Sequence, residues 1–486
     1  MRKVILIVVM LLVLPLNFGA TTTNDDNNWF ENLKQQAKSN NKINDLYKVL
    51  YYMPKGGDLH NHLSGAGFSN WWYDLALEAE SKGYIYYTKV QLTYCPDTEV
   101  TDSFSKHYNL LFRNIAEYEY KKLDECVKEQ YKQLKDLNPQ EKENWLNSIR
   151  LDTKTEGQNE FFDRHWQRLN AINDNPWLKA EMLYKNMAAF AEEKITYVEF
   201  QVSLEEFEKP DGSFFTEDET AVIIRNRLLQ DDAIETGVIV RFQMDFLRFL
   251  PSAVDLLRSS YKFVHDNNDL WVAVNMVGRE DTANGQPLRF LKAMQELKSQ
   301  YSGVRLSIHA GESKQKNFNV RDTLLLGAER IGHGLNLIHD IETMDRMRQG
   351  PYLIEINLIS NILLNYIDDF KQHPFPSYLR GGIPVALSTD DRGMWDSTMT
   401  DEFFVAVTEF DLSWDEIKLL SRNSLNYSFL KTDLKNKLLK DYNDKIEQFE
   451  LQMKDKGIDG LGELPETRGF ICKHYKICSV DKMLMD

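Results

Sequence analysis

The stretch Val304-Arg305-Leu306-Ser307-Ile308-His309-Ala310-Gly311-Glu312, with Arg330-Ile331-Gly332-His333-Gly334 further on, contains one full repeat of the pattern that decides the fold. A short β-branched run ends in polar residues, an amphipathic stretch over 318–329 follows, and a second short run ends in polar residues again. Working outward, the same pattern predicts strands at 57–62, 196–203, 237–244, 271–277, 304–309, 330–333, 352–358 and 384–389, with a further amphipathic stretch at 178–193. Several runs are continuously apolar rather than alternating, as expected of parallel strands covered on both faces. Eight strands alternating with helices predict an α/β fold, a closed (β/α)8 TIM barrel. The chain has 486 residues, 42% of them apolar and 27% charged, enough for such a barrel with insertions.

One connection is too long. Between 62 and 196 an insertion follows the first strand, its body at about 80–158, with a charged helical stretch near 121–142. Residues 27–50 read as helical, giving an N-terminal helical arm (21–52) before the barrel unit (53–486). Beyond Asp401 the chain reads as helical to about Lys454, and the tail as irregular. The first twenty residues have a leader's form: Arg2 and Lys3, an apolar run over 4–16, then small residues before a polar segment. Export, to a periplasm or to the outside, is the expectation, with an uncleaved anchor as the alternative; no second run is long enough to hold the chain in a membrane. Four cysteines allow three pairings, and Cys95–Cys126 and Cys472–Cys478 are the local ones. His474, between the last two, reads as a surface residue. The formal charge of −16 repels polyanions, so no nucleic-acid partner is expected.

Chemistry in such a barrel sits where the strands end. His60 and His62 are two apart on a strand and point to one side, so both imidazoles can meet one ion. Gly278 closes the fourth strand and permits close backbone approach. His309 closes the fifth, with Glu312 three residues on. His333 stands between two glycines after the sixth, where an acid–base or water-orienting role fits. Asp390 and Asp391 end the eighth, and adjacent carboxylates after an apolar run call for a cation or a donor nearby. Three histidines and one aspartate suit one zinc ion, with water completing the coordination, and disfavour calcium or magnesium.

These residues resemble, in order, the motifs of the adenosine/AMP deaminase family: Met53-Pro54-Lys55-Gly56-Gly57-Asp58-Leu59-His60-Asn61-His62, His309-Ala310-Gly311-Glu312, Arg330-Ile331-Gly332-His333-Gly334 and Ser388-Thr389-Asp390-Asp391. The leader, the long insertion, Ile359-Ser360-Asn361 and Ser421-Arg422-Asn423-Ser424 resemble the secreted branch, the adenosine deaminase-related growth factors. The resemblance implies a zinc barrel that hydrolyses adenosine, and 2′-deoxyadenosine, to the inosine product and ammonia. It implies His60, His62, His309 and Asp390 as zinc ligands and Glu312 as the donor to ring nitrogen N1. It implies that His333 orients or deprotonates the attacking water, that Asp391 contacts the purine and helps place the nucleophile, and that the Gly278 backbone binds the ring. Phe162, His165 and Trp166 resemble the segment that contacts the nucleoside, with a plain amphipathic helix as the other reading. Classical members carry an acid two residues after the second histidine, where this chain has Ser64. The secreted branch carries an aspartate immediately after it, where this chain has Leu63. The implied partner is a small nucleoside; a homodimer is left open, the arm being shorter than the growth factors' dimerisation segment.

Three rivals are weaker. Two-metal amidohydrolases bridge their ions with a lysine at the end of strand four, and 271–278 contains none, although a mononuclear-zinc amidohydrolase for another purine or small amide stands as the alternative. A non-catalytic binding protein would have lost Glu312 or a ligand, and all are present. An AMP deaminase needs a phosphate site, which the acidic chain lacks apart from Arg279 and Arg392.

Overall fold

A computed structural model of the protein describes residues 28–39, 42–95, 109–153 and 155–479. Its first strand, β1 (Gly56–His62), leads into the insertion, which holds β2 (Tyr86–Lys89), β3 (Asn114–Ala116) and β4 (Tyr131–Gln133). The chain then continues through β5 (Ile195–Gln201), β6 (Ile239–Leu247), β7 (Trp271–Val277), β8 (Arg305–Ala310), β9 (Arg330–His333), β10 (Leu353–Ile356) and β11 (Val385–Leu387). β1 and β5 to β11 pair in chain order, every pair parallel. A bridge from Asn61 to Asp390 joins last strand to first, with His62 N–H donating to Asp390 O (3.2 Å) and Asp390 N–H to His60 O (2.9 Å). The barrel is closed, and its closure point is also where the candidate ligands lie.

Helices fill the crossovers and bury one stripe each. In Ala253–Asp266 the stripe is Leu257, Tyr261 and Val264, spaced by four and three. Pro176–Glu192 starts with proline at its first position, and the Asn175 side chain accepts from Trp177 N–H and Leu178 N–H. All eight expected barrel strands are present, but several are shorter than their apolar runs. β11 stops at Leu387, and the chain turns at Asp390 (φ +55°) while tied to β10 through Ser388 N–H and to β1 through Asp390.

Two expectations need correction. The charged stretch at 121–142 is not one helix but a turn of helix (Glu125–Lys128), then β4, then the start of a helix at Pro139–Ser148. Proline fits only the first turn of a helix, and the capping box of Asn138 with Glu141 starts a new one there. β4 pairs antiparallel with β2, which also takes β3, and Cys95–Cys126 staples this small sheet (Cα–Cα 5.9 Å). The tail is not irregular throughout: Gly469–Tyr475 is helical because Phe470 and Ile471 are buried, and Cys472–Cys478 closes it. Both local cysteine pairs are therefore formed, and His474 is exposed.

The arm is two helices, Asn28–Ser39 and Ile43–Tyr52, and it packs on its own barrel. Trp29 and Phe30 meet Trp414 (ring centroids 5.0 and 5.2 Å), and Tyr47 donates to Asp401 Oδ1 at 2.7 Å. The expected leader, 1–20, lies outside the described residues, among which no helix is long and apolar enough to cross a membrane.

Candidate metal centre and its surroundings

His60 and His62 lie in the last three residues of β1, His309 is the last but one of β8, and Asp390 follows β11. Asp390 Oδ1 lies 3.2 Å from both His60 Nε2 and His62 Nε2, and His62 Nε2 lies 3.2 Å from His309 Nε2. Ligand atoms of His60, His309, His333 and Asp390 fall within 4.8 Å of one another, as do those of His62, Asp390 and Asp391. Asp390 and His333 both adopt positive φ (+55° and +64°), a conformation that costs a non-glycine residue about 1–2 kcal/mol. The surrounding packing holds both strained residues at the centre.

What lies behind the imidazoles fixes their tautomers. His60 Nδ1 meets the Glu355 carboxylate at 2.9 Å, so Nδ1 carries the hydrogen and Nε2 the lone pair. For His309 two side-chain amides, Gln243 and Asn275, fix the tautomer. Gln243 Nε2 donates to the Leu59 carbonyl (3.0 Å) and to Glu199 Oε2 (3.0 Å), so Gln243 Oε1 accepts from Asn275 Nδ2 (2.8 Å). Asn275 Oδ1 therefore faces His309 Nδ1 (3.0 Å), which must donate. His309 Nε2 too presents a lone pair. His60 Nε2 is buried with no hydrogen-bond partner.

Lone pairs converging on a carboxylate oxygen repel unless something positive stands between them. The donor set, three imidazole nitrogens and one carboxylate, fits zinc in particular. With protons as the only positive charge, burial works to lower the His60 pKa, but Asp390 and Glu355 outweigh it and raise it to about 10. Asp390 is held well below the usual carboxylate range, His60 and His62 overcoming the opposing effect of burial.

The network behind the centre is continuous. Glu355 Oε1 accepts from Ser307 Oγ (2.8 Å) and pairs with Arg330 Nε (2.7 Å). Arg330 then grips Glu199 with both Nη atoms (3.1 and 2.5 Å), and Glu199 leads through Gln243 and Asn275 to His309. A closed path of buried side chains thus joins the far nitrogens of two candidate ligands. Such partners fix ring orientation and raise ligand basicity.

Glu312 is buried at the same rim, its Oε2 3.7 Å from His333 Nε2. Burial, Asp390 and Glu280 push its pKa well up and favour the proton-carrying form. Burial also raises Asp391, with Asp390 adding to it, and Asp391 Oδ1 has no hydrogen-bond partner. A Cβ on Gly65 would fall 1.6 Å from that oxygen, so glycine leaves Asp391 its place. Burial lowers His333 to about 3. Gly278 follows β7 at φ +82°, a glycine conformation. Ser64 Oγ is taken by Lys179 Nζ, which also donates to Asn173 Oδ1 at 2.5 Å.

Phe162, His165 and Trp166 lie in and after a turn of π-helix, Phe161–His165, whose Phe161 packs on Trp395 beyond β11 (5.0 Å). The segment belongs to the strand-end face. His165 is buried with Nδ1 unpartnered, while Phe162 and Trp166 are half-buried. No hydrogen bond or ring contact joins these three to the metal-site residues among the described residues.

The sequence motifs point to no role for Asn275, Gln243, Glu199, Glu355, His373 and Lys179, and include Arg330 and Asn361 only as motif residues. For several of them the signal is present, a charged or amide residue inside a strand covered on both faces, as in Leu353-Ile354-Glu355-Ile356. Gly332 gives a direct test of the centre, because a Cβ there would lie 2.6 Å from His60 Cε1 and 2.9 Å from His60 Nδ1. Gly332→Ala should displace the His60 ring and weaken zinc binding about 10–100-fold, read by chelator competition; unchanged affinity would remove His60 from the ligand set.

A family model described as adenosine deaminase matches residues 126–447. β1 and its two histidines precede that match, and they join it through the geometry above. An adenosine deaminase from Clostridium perfringens is 35% identical over 161 residues, covering 32% of this chain and 48% of that protein. The chain therefore spans about half the length of the curated relatives it matches. Among solved structures, an adenine deaminase from Arthrobacter aurescens aligns with a TM-score of 0.59 at 18% identity, over 81% of this chain and 99% of that one. The arabidopsis N6-mAMP deaminase gives 0.58 at 18%, over 82% and 99%. Likeness at such identity speaks to the barrel fold alone. The family model carries the assignment: this chain belongs to the adenosine deaminase family.

Proposed function

We propose that the protein hydrolyses adenosine, and 2′-deoxyadenosine, to the corresponding inosine product and ammonia, with one zinc ion held by His60, His62, His309 and Asp390. The supporting observation is the convergence of His60 Nε2 and His62 Nε2 on Asp390 Oδ1 beside a carboxyl, Glu312, that favours its protonated form. Zinc, when bound, supplies a Lewis acid that activates water at neutral pH. Glu312 donates its proton to the purine nitrogen next to the amino-bearing carbon, leaving that carbon open to attack. His333 acts on the attacking water, Asp391 contacts the purine and helps place the nucleophile, and the Gly278 backbone meets the ring. Phe162, His165 and Trp166 cover the nucleoside from the insertion side.

Export is proposed from the leader pattern and the two disulfides, which persist in oxidising compartments; the secreted branch is proposed on the same grounds. A second reading, free adenine as substrate, is favoured by the sugar-side positions: Leu63 is buried and Ser64 is occupied by Lys179. A panel of adenosine, 2′-deoxyadenosine, adenine, AMP and guanosine decides, with ammonia release measured on zinc-loaded protein. Adenosine is expected to turn over, chelation to abolish activity and zinc to restore it. Turnover of adenine alone selects the second reading, and no turnover of any purine would sink both.

A further inference from the structure

Four imidazoles crowd the centre, where three suffice for the ion. His333 stands in the same cluster as His60, His309 and Asp390, so distance does not say whether it is a ligand, a base or a donor. The residues behind it do. Phe375 N–H donates to His373 Nδ1 at 3.0 Å. A backbone amide can only donate, so Nδ1 of the buried, neutral His373 accepts and its hydrogen is on Nε2. His373 Nε2 faces Asn361 Oδ1 at 3.0 Å. The Asn361 amide cannot be turned round, since its NH2 would then face an N–H. Asn361 Nδ2 therefore donates to His333 Nδ1 at 3.0 Å, and Asn357 Nδ2 approaches the same atom at 3.3 Å.

We infer that Asn361 and His373 are positioning residues that hold His333 as the tautomer with its hydrogen on Nε2. That nitrogen is the one that faces Glu312. So held, His333 has no lone pair on Nε2 with which to bind the ion or take a proton; it offers an N–H. His60 and His309 are built the opposite way, since the groups behind them draw the hydrogen to Nδ1 and leave Nε2 bare. One polar barrel thus sets two imidazoles as ligands and a third as a donor. The consequence for chemistry rests on the hydrolytic reading above: His333 orients the attacking water and does not deprotonate it. The tautomer itself is independent of any substrate.

Long-range 1H–15N correlation on the histidine-labelled full chain, metal-free and zinc-loaded, reads the tautomer. The chain has 10 histidines, and the His333 signals are those lost in His333→Gln. The wild type is expected to show a pyrrole-type Nε2 and a pyridine-type Nδ1. His373→Gln, whose amide can accept from Phe375 and donate to Asn361, keeps that pattern. Asn361→Asp offers acceptors on both sides, so the two signals exchange, and kcat falls about 10²–10³-fold, the loss of one positioned donor, with KM moved less. A pyridine-type Nε2 in the wild type overturns the proposal, as does an Asn361→Asp spectrum with the tautomer unchanged. Should Asn361→Asp not fold, the wild-type and His373→Gln spectra decide by themselves. A panel with no purine turnover would sink the assigned activity and leave this result standing.

Discussion

Glu312→Gln is expected to lower kcat about 10²–10⁴-fold, the range for removing a positioned general acid, while the protein keeps its zinc. In barrier terms this is about 3–5 kcal/mol. Glutamine matches the side chain in size and can still donate a hydrogen bond, but it has no proton to transfer. KM should change little, because proton donation stabilises the transition state rather than the bound substrate. The direction of the stability change separates this role from a structural one. Burial with the Asp390 and Glu280 carboxylates nearby disfavours charge on Glu312, so a neutral amide should leave Tm unchanged or higher. Zinc content and Tm held while kcat collapses is the expected pattern; activity within tenfold of wild type would show that the proton comes from elsewhere.

How much of the barrel and its centre is legible in the sequence depends on where each residue lies along its strand. The strand-end residues can be read because function interrupts pattern there: His60, His62, His309 and Asp390 each stand where an apolar run breaks. The Asp390–Asp391 pair is informative because it follows a buried strand. Residues one layer deeper are harder. Glu199, Gln243, Asn275 and Glu355 sit inside runs that read as core strands, and an amide there looks like an irregularity until its partner is known. Each partner lies on another strand, tens of residues away, and only the barrel's closure brings them together. His373 is harder still: it lies in a loop, and its link to His333 runs through Asn361 on the helix Leu358–Leu363. In the insertion, charge density reads as a helical surface. Tyr131 and Gln133 belong instead to an edge strand, which at three residues, one of them Lys132, is too short to show an alternating pattern.

Arg330→Met should be the most destabilising single change in the barrel. Arg330 is fully buried between two carboxylates, bidentate to Glu199 and paired with Glu355, and its guanidinium lies 3.8 Å from the centroid of the Phe429 ring. Methionine replaces much of its volume but none of its charge, leaving two buried carboxylates uncompensated. Breaking a buried pair in this way costs about 3–5 kcal/mol, and here one cation serves two anions. At about 2.1 cal/mol/K of unfolding entropy per residue, a chain of this length loses roughly 3–5 °C of Tm for that energy. The centre should suffer with the barrel, since Glu355 holds His60 Nδ1 and is itself held by Arg330. Zinc affinity should fall by about 10–100-fold. Lysine is no substitute, because a single ammonium cannot reproduce the fork on Glu199 while reaching Glu355. The decisive variant is the double one. If uncompensated charge is the cause, Glu199→Gln in the Arg330→Met background removes one stranded carboxylate and recovers part of the Tm deficit, although Glu199→Gln alone destabilises. A double variant no more stable than Arg330→Met would assign the deficit to packing around Phe429 rather than to charge.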